Sequence, residues 1–147
     1  MKERHTLIAA SYLLLIREDE ILLSRRFNTG YEDGKYSLPA GHVEEGETFT
    51  QTVIRESKEE IGVVLKPEDL SVVHVMQRRR PEKANDRIDV FFLAKKWEGE
   101  PENMEPEKCD HIQWFSISDL PIKTIPYIKQ AIDCAMNEIS YSEFGWK

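Results

Sequence analysis

Apolar residues run almost unbroken from Thr6 to Ile16, a pattern that predicts a strand buried on both faces. The charged stretch Arg17–Glu20 separates it from a second apolar run, Ile21 to Arg26, and the two together predict a β-hairpin. Two glycines among polar residues mark Asn28 to Gly34 as a loop, and Tyr36 to Leu38 reads as a short strand stopped by Pro39. Thr48 followed three residues later by Gln51 is a capping-box helix start, and Gly62 supplies the matching stop. Within that helix Val53, Ile54 and Ile61 form an apolar face suited to a sheet. Ser57 falls near the middle of this face, its hydroxyl expected to bond back to a carbonyl one turn earlier. Pro67 to Leu70 begins the next connection. Leu70–Gln77 and Ile88–Trp97 predict strands joined across a polar loop that contains Arg78-Arg79-Arg80-Pro81, with a solvated turn expected for two of the three arginines. Glu98 to Lys108 reads as an acidic loop and Ile112 to Phe115 as a last strand. Ile125 to Ile139 carries helical spacing at Ile125, Ile128, Ile132, Ala135, Met136 and Ile139.

Strands and helices alternate along 147 residues with no linker, repeat or low-complexity tract, so one domain over residues 1–147 is expected, a mixed sheet covered by helices. Net charge of −7 argues against a nucleic-acid polymer as partner, since that needs a basic footprint, but leaves room for a small polyanion neutralised by metal ions. No apolar run is long enough to span a membrane, and the start Met-Lys-Glu-Arg-His does not resemble a signal peptide. Cys109 and Cys134 lie far apart without a CxxC pattern. Buried, reduced thiols and a cytoplasmic setting are the expectation.

The chemistry concentrates between Gly41 and Val63. Glu56, Glu59 and Glu60 stand at i, i+3 and i+4 and so share one helical face. Like charges at that spacing repel, which suits a hard divalent cation bound through oxygen. Arg55 is placed to hold a carboxylate through two bonds, with Glu47 a candidate partner.

Gly41, Glu47, Arg55, Glu56, Glu59, Glu60 and Gly62 fall at the spacing of the Nudix signature, and the chain resembles the MutT-like group of Nudix hydrolases. Ser57 departs from the pattern, standing where the family usually has an apolar residue. The resemblance implies an α/β class fold, the Nudix-type α/β/α sandwich with a mixed β-sheet between helices. It implies metal ligation by Glu56, Glu59, Glu60 and the backbone carbonyl of Ala40, with Mg²⁺ as the cofactor and Mn²⁺ as its substitute. Trp97-Glu-Gly-Glu-Pro101 also resembles the group, and Glu105, eight residues after Trp97, then matches a loop carboxylate that reaches the metal or its water. Glu56 and Glu105 are the candidate bases, and Arg55 completes the catalytic set. Arg26 matches a phosphate-holding arginine and, with Gly41 and Glu47, is assigned to the substrate side. Thr124 stands where one relative reads 8-oxoguanine with an Asn. Because a hydroxyl cannot offer an amide's paired donor and acceptor, 8-oxo-dGTP is not expected from this position.

The implied partner is a small nucleotide, most simply a (d)NTP cleaved to the monophosphate and pyrophosphate by a monomer or homodimer. ADP-ribose, another nucleotide sugar or a dinucleotide polyphosphate is the alternative within the family, and a non-catalytic nucleotide-binding module the alternative outside it. Tyr31, Tyr36 and Phe27 are candidates for stacking on a base, with packing favoured for Tyr36. Trp97 and Trp114 read as core or sheet residues, and His42 as a candidate phosphate contact.

Overall fold

A computed structural model describes residues 2–83 and 85–146. Eight strands and two helices follow in the order β1 (Leu7–Arg17), β2 (Glu20–Arg26), β3 (Tyr36–Ser37), β4 (Ala40–His42), α1 (Phe49–Ile61), β5 (Leu70–Arg78), β6 (Asp86–Ala94), β7 (Cys109–Ser116), α2 (Pro126–Met136) and β8 (Tyr141–Phe144). A single 3₁₀ turn, Pro67–Asp69, leads into β5.

The sheet is mixed because β1 is its hub. β1 pairs in parallel with β6 over Leu7–Leu15, while β5 and β6 form an antiparallel hairpin and β8 adds to β5 in parallel. The expected β1–β2 hairpin closes over two residue pairs only, Ile16↔Ile21 and Arg17↔Glu20. Beyond these the strands diverge. β2 goes on to pair with β7 and β3, and the vacated edge of β1 takes β4 through Ala10↔His42, Ser11↔Gly41 and Tyr12↔Ala40. The divergence opens the space in which the site lies.

Alternation along β1 explains the two hydrophobic layers. Tyr12, Leu14 and Ile16 face α2, where Ile128, Ala131 and Ile132 are buried against them; Leu13 and Leu15 face α1 and pack with Val53, Ile61 and Phe92. The sheet is therefore sandwiched between the helices, as the α/β/α expectation requires.

Several local expectations need correction. β4 and β8 are additional strands, so Ile112–Phe115 is the core of β7 but not of the last strand. Ser57 is fully buried, yet its Oγ makes no hydrogen bond, so the expected bond back to the preceding turn is absent. Arg78, expected in the polar loop, belongs to β5 and is buried, while Arg79 is exposed and Arg80 half-buried. Both cysteines are free and only half-buried.

Candidate active site

Helix α1 carries the acidic face, and local sequence fixes where the helix begins and ends. Thr48 Oγ1 accepts from the Gln51 amide at 3.0 Å while the Gln51 side chain accepts from the Thr48 amide at 2.8 Å, completing the capping box. Gly62 ends the helix at φ +74°, a left-handed conformation that favours glycine. Ser11 on β1 donates to the Phe49 carbonyl at 2.8 Å and ties the first turn to the sheet.

Arg55 organises the carboxylates. Its Nε and Nη2 donate to the two oxygens of Glu47 at 2.6 and 3.0 Å, a bidentate pair, and its Nη1 donates to Glu56 at 2.7 Å and reaches Glu59 at 3.5 Å. Glu47 also accepts from Thr52 Oγ1 and the Glu44 amide. The Arg55 guanidinium, then Thr52 and that amide, hold its carboxyl down at about 2. Both carboxylate oxygens of Glu47 are thus engaged within the chain, by Arg55, Thr52 and the Glu44 amide.

Glu60 lies deeper. Its Oε1 accepts from the Ala40 amide at 3.1 Å, which locks α1 to β4. Burial, reinforced by the negative charge of Glu56, pushes its carboxyl well above the usual carboxylate range. A Cβ at Gly41 would overlap the carboxyl of Glu56 where it now lies. Gly41 therefore makes room for a carboxylate.

Glu105 arrives on the loop between β6 and β7. The Glu102 and Met104 amides donate to the Ile61 and Glu60 carbonyls, each at 3.0 Å, so the loop uses carbonyls that the last turn of α1 leaves open. Asn103 then accepts from the Glu105 amide at 3.0 Å and donates to the Cys109 carbonyl at 2.6 Å. Glu105 is half-buried, whereas neighbouring Glu102 and Glu107 are exposed. Burial raises its carboxyl, and Glu56 and Glu59 add to the effect against an opposing Lys108.

A cavity of about 580 Å³ joins these groups, lined at one end by Ala40, Gly41, His42, Glu60 and Glu105. Arg26 also lines it, with its guanidinium held by the Tyr31 carbonyl at 2.6 Å and Thr29 Oγ1 at 3.0 Å. Tyr31 is covered by cations, Arg80 at 4.0 Å and Arg26 at 5.3 Å from its ring centroid. Tyr36 is buried against Phe115, as packing predicts, and Phe27 is exposed outside the cavity lining. Trp97 and Trp114 stack on each other, centroids 6.0 Å apart. Thr124 is not brought to the cavity: it is buried, and its hydroxyl is spent on the Pro121 carbonyl at 2.7 Å.

The donors at the acidic end are all oxygens, from Glu56, Glu60 and Glu105 with Ala40 alongside, and they fit a hard divalent cation. Among the described residues no three His, Cys, Asp or Glu side chains form a ready-made cage. Glu56 and Glu59 are instead paired with the Arg55 guanidinium, at 2.7 and 3.5 Å.

Sequence reasoning missed a second group that lines the same cavity. Arg78 donates to Asp89 at 2.7 and 3.4 Å and to Tyr12 Oη at 3.3 Å, and its guanidinium lies 3.8 Å from the ring centroid of Tyr127. Tyr12 and Tyr127 are linked through their hydroxyls at 3.1 Å, and Arg87 lines the cavity too. The available signal was the burial-prone hairpin that places Arg78 opposite Arg87.

The NUDIX domain family model matches residues 5–133. The 8-oxo-dGTP diphosphatase of Escherichia coli (strain K12) is 31% identical over 109 residues, covering 74% of this chain and 78% of that protein. The ADP-ribose pyrophosphatase of Methanocaldococcus jannaschii is 32% identical over 108 residues, and this chain spans 61% of its length. An NAD-capped RNA hydrolase of Stutzerimonas stutzeri is 34% identical over 109 residues, but the match spans only 36% of that protein. Among solved structures, the MutT NUDIX hydrolase from Burkholderia pseudomallei superposes with a TM-score of 0.80 at 26% identity, covering 88% of this chain and 98% of that one. Members of this family generally use divalent metals. Signature, sandwich and family match agree, and the chain belongs to the Nudix family as a MutT-like hydrolase of phosphorus-containing anhydrides.

Proposed function

We propose that this chain is a Mg²⁺-dependent hydrolase of nucleoside diphosphates linked to a further group, with Mn²⁺ able to substitute, and that its main reaction converts a (d)NTP to the monophosphate and pyrophosphate. The observation that supports this most is the shared cavity, into which the inner face of α1 through Glu60 and the loop through Glu105 both open beside Gly41. Glu56, Glu59, Glu60, Glu105 and the Ala40 carbonyl would hold the cation, which when bound offsets phosphate charge and orients a water. The protein's own contribution is positional. Arg55 sets the direction of Glu56, Gly41 leaves it space, and Asn103 holds the Glu105 segment over the end of α1. Glu56, then Glu105, is the assigned acceptor for the water's proton, since each is a carboxylate at the edge of the acidic end. Arg26, which lines the same cavity, is assigned to steady the polyphosphate.

A second reading, cleavage of ADP-ribose or another nucleotide sugar, is favoured by the identity to the Methanocaldococcus protein. The partner is a small nucleotide in either case. The charge of −7 supports no nucleic-acid polymer, and no described helix is long and apolar enough to cross a membrane. A monomer or homodimer in the cytoplasm is the setting we assign.

The test is a Mg²⁺-dependent release assay over common and oxidised (d)NTPs, ADP-ribose, nucleotide sugars and dinucleotide polyphosphates. Pyrophosphatase and phosphatase serve as separate coupling enzymes. Signal through pyrophosphatase with a triphosphate is expected. Signal through phosphatase alone, with ADP-ribose or a nucleotide sugar, would replace the first reading by the second.

A further inference from the structure

Among the described residues, one buried guanidinium in the cavity wall has no counter-charge. Arg78 and Arg87 are cross-strand partners on β5 and β6, 5% and 6% exposed, and both line the cavity. Arg78 is compensated by Asp89, which is fully buried. Arg87 has no carboxylate within 4.0 Å among the described residues, and the hydrogen bond its guanidinium makes is from Nη1 to the Asn85 carbonyl at 2.6 Å. A buried guanidinium without a counter-charge is costly, so the position calls for an anion from outside the chain.

The remaining groups here are donors. The Nε and Nη2 edge of Arg87 presents a fork, Arg78 Nη1 has protons beyond those given to Asp89 and Tyr12, and the Tyr12–Tyr127 pair shares one bond between two hydroxyls. One phenolic proton is left over whichever hydroxyl donates. A fork plus further donors, around one positive charge in excess of Asp89, suits a phosphoryl group with three acceptor oxygens better than a neutral base edge. The sheet sets the separation. β4, beside the acidic end, and β6, which carries Arg87, flank β1, so their axes lie about 10 Å apart at the usual strand spacing.

We propose that Arg87, braced beside Arg78, forms a second phosphate subsite at the sheet end of the cavity, for a substrate that carries a phosphoryl group distal to the scissile diphosphate. This rests on the reading of the acidic end as the hydrolytic centre. The distal group is either a phosphate ester on the sugar of the linked group or the terminal phosphoryl of a longer polyphosphate.

Two measurements test it. In the first, protein in EDTA is titrated with inorganic phosphate and followed by calorimetry, for the wild type, Arg87→Gln and Arg87→Lys. Saturable binding is expected in the wild type, weakened about tenfold or more in Arg87→Gln, with Arg87→Lys in between. In the second, kcat/KM is compared within matched pairs. NADH and NADPH differ by a ribose phosphate; a nucleoside diphosphate and its triphosphate differ by a terminal phosphoryl. One pair is expected to favour the more phosphorylated member about tenfold or more, and Arg87→Gln to bring that ratio near one; which pair responds identifies the source. Absent phosphate binding in the wild type, equal binding in Arg87→Gln, or a ratio unmoved by the substitution overturns the subsite. If Arg87→Gln does not fold, undiminished binding by Arg87→Lys does so. Failure of the hydrolase reading looks different: no Mg²⁺-dependent turnover of any pair, with phosphate binding in EDTA intact.

Discussion

Arg55 grips both carboxylate oxygens of Glu47, at 2.6 and 3.0 Å, and through its other nitrogen holds the Glu56 carboxylate at 2.7 Å. Glu47 is thus the support for a residue that positions the acidic face. Replacing Arg55 by Lys removes the fork, and kcat is expected to fall by about tenfold or more, equivalent to roughly 1.4 kcal/mol in the barrier. The carboxyl of Glu47 is lowered to about 2, so the stability it contributes is fully present above the ordinary carboxylate range and is lost as pH falls through about 2. Urea midpoints across that window should show a steeper acid decline in the wild type than in Glu47→Gln. Equal slopes would remove Glu47 from the account.

Glu60 behaves in the opposite sense. Its raised carboxyl keeps a proton that the unfolded chain gives up first, so stability is highest below the ordinary carboxylate range and declines as pH rises toward the folded value. In EDTA at neutral pH, Glu60→Gln should melt higher than the wild type by on the order of 1 kcal/mol, or about 3 °C. Adding Mg²⁺ should raise the wild type and leave Glu60→Gln nearly unmoved. A lower melting temperature for the variant in EDTA would contradict the assignment.

Gly41→Ala places a methyl where the Glu56 carboxyl lies. The side chain is flexible, so the fold should survive, while the carboxylate is displaced. A loss of about a hundredfold in kcat with an unchanged circular dichroism spectrum is expected, because misplacement by about 1 Å has that cost. Near wild-type turnover would show that Glu56 tolerates the shift.

The hydroxyl of Ser57 is fully buried and unpaired. Ser57→Ala should stabilise the protein by about 1 kcal/mol, since an unsatisfied buried hydroxyl is removed with little change of volume. Destabilisation in denaturant titration would mean that Oγ has a partner after all.

Helix α1 was legible because its signals are local: a cap three residues from its partner, a glycine stop and carboxylates one turn apart. The bidentate Arg55–Glu47 pair followed from the same short range. β4 and β8 were not legible, because strands this short exist only through the neighbours they find on β1 and β5. That Arg78 is the buried one of its run was not legible for a related reason. In a run of three arginines solvation is the economical reading, and nothing near in sequence marks one of them for burial. Its partners, Asp89, Tyr12 and Tyr127, come from two other strands and a distant helix. Thr124 shows the limit of transferring a role by position: the residue is there, but its hydroxyl closes its own turn.

The early parting of β1 from β2 also bears on how the chain folds. β4 and α1 follow β1 closely and can join it soon after the hairpin closes. The floor that carries Arg78 and Arg87 requires the parallel docking of β6 on β1, a contact between remote parts of the chain. Such pairings form slowly, because a long intervening loop must first be closed. The α1–β4 part of the acidic end is therefore expected to take shape early in folding, and the arginine group late together with the loop that brings Glu105, so that a nascent molecule holds the helix carboxylates before it has either the last of them or the means of choosing what to cleave.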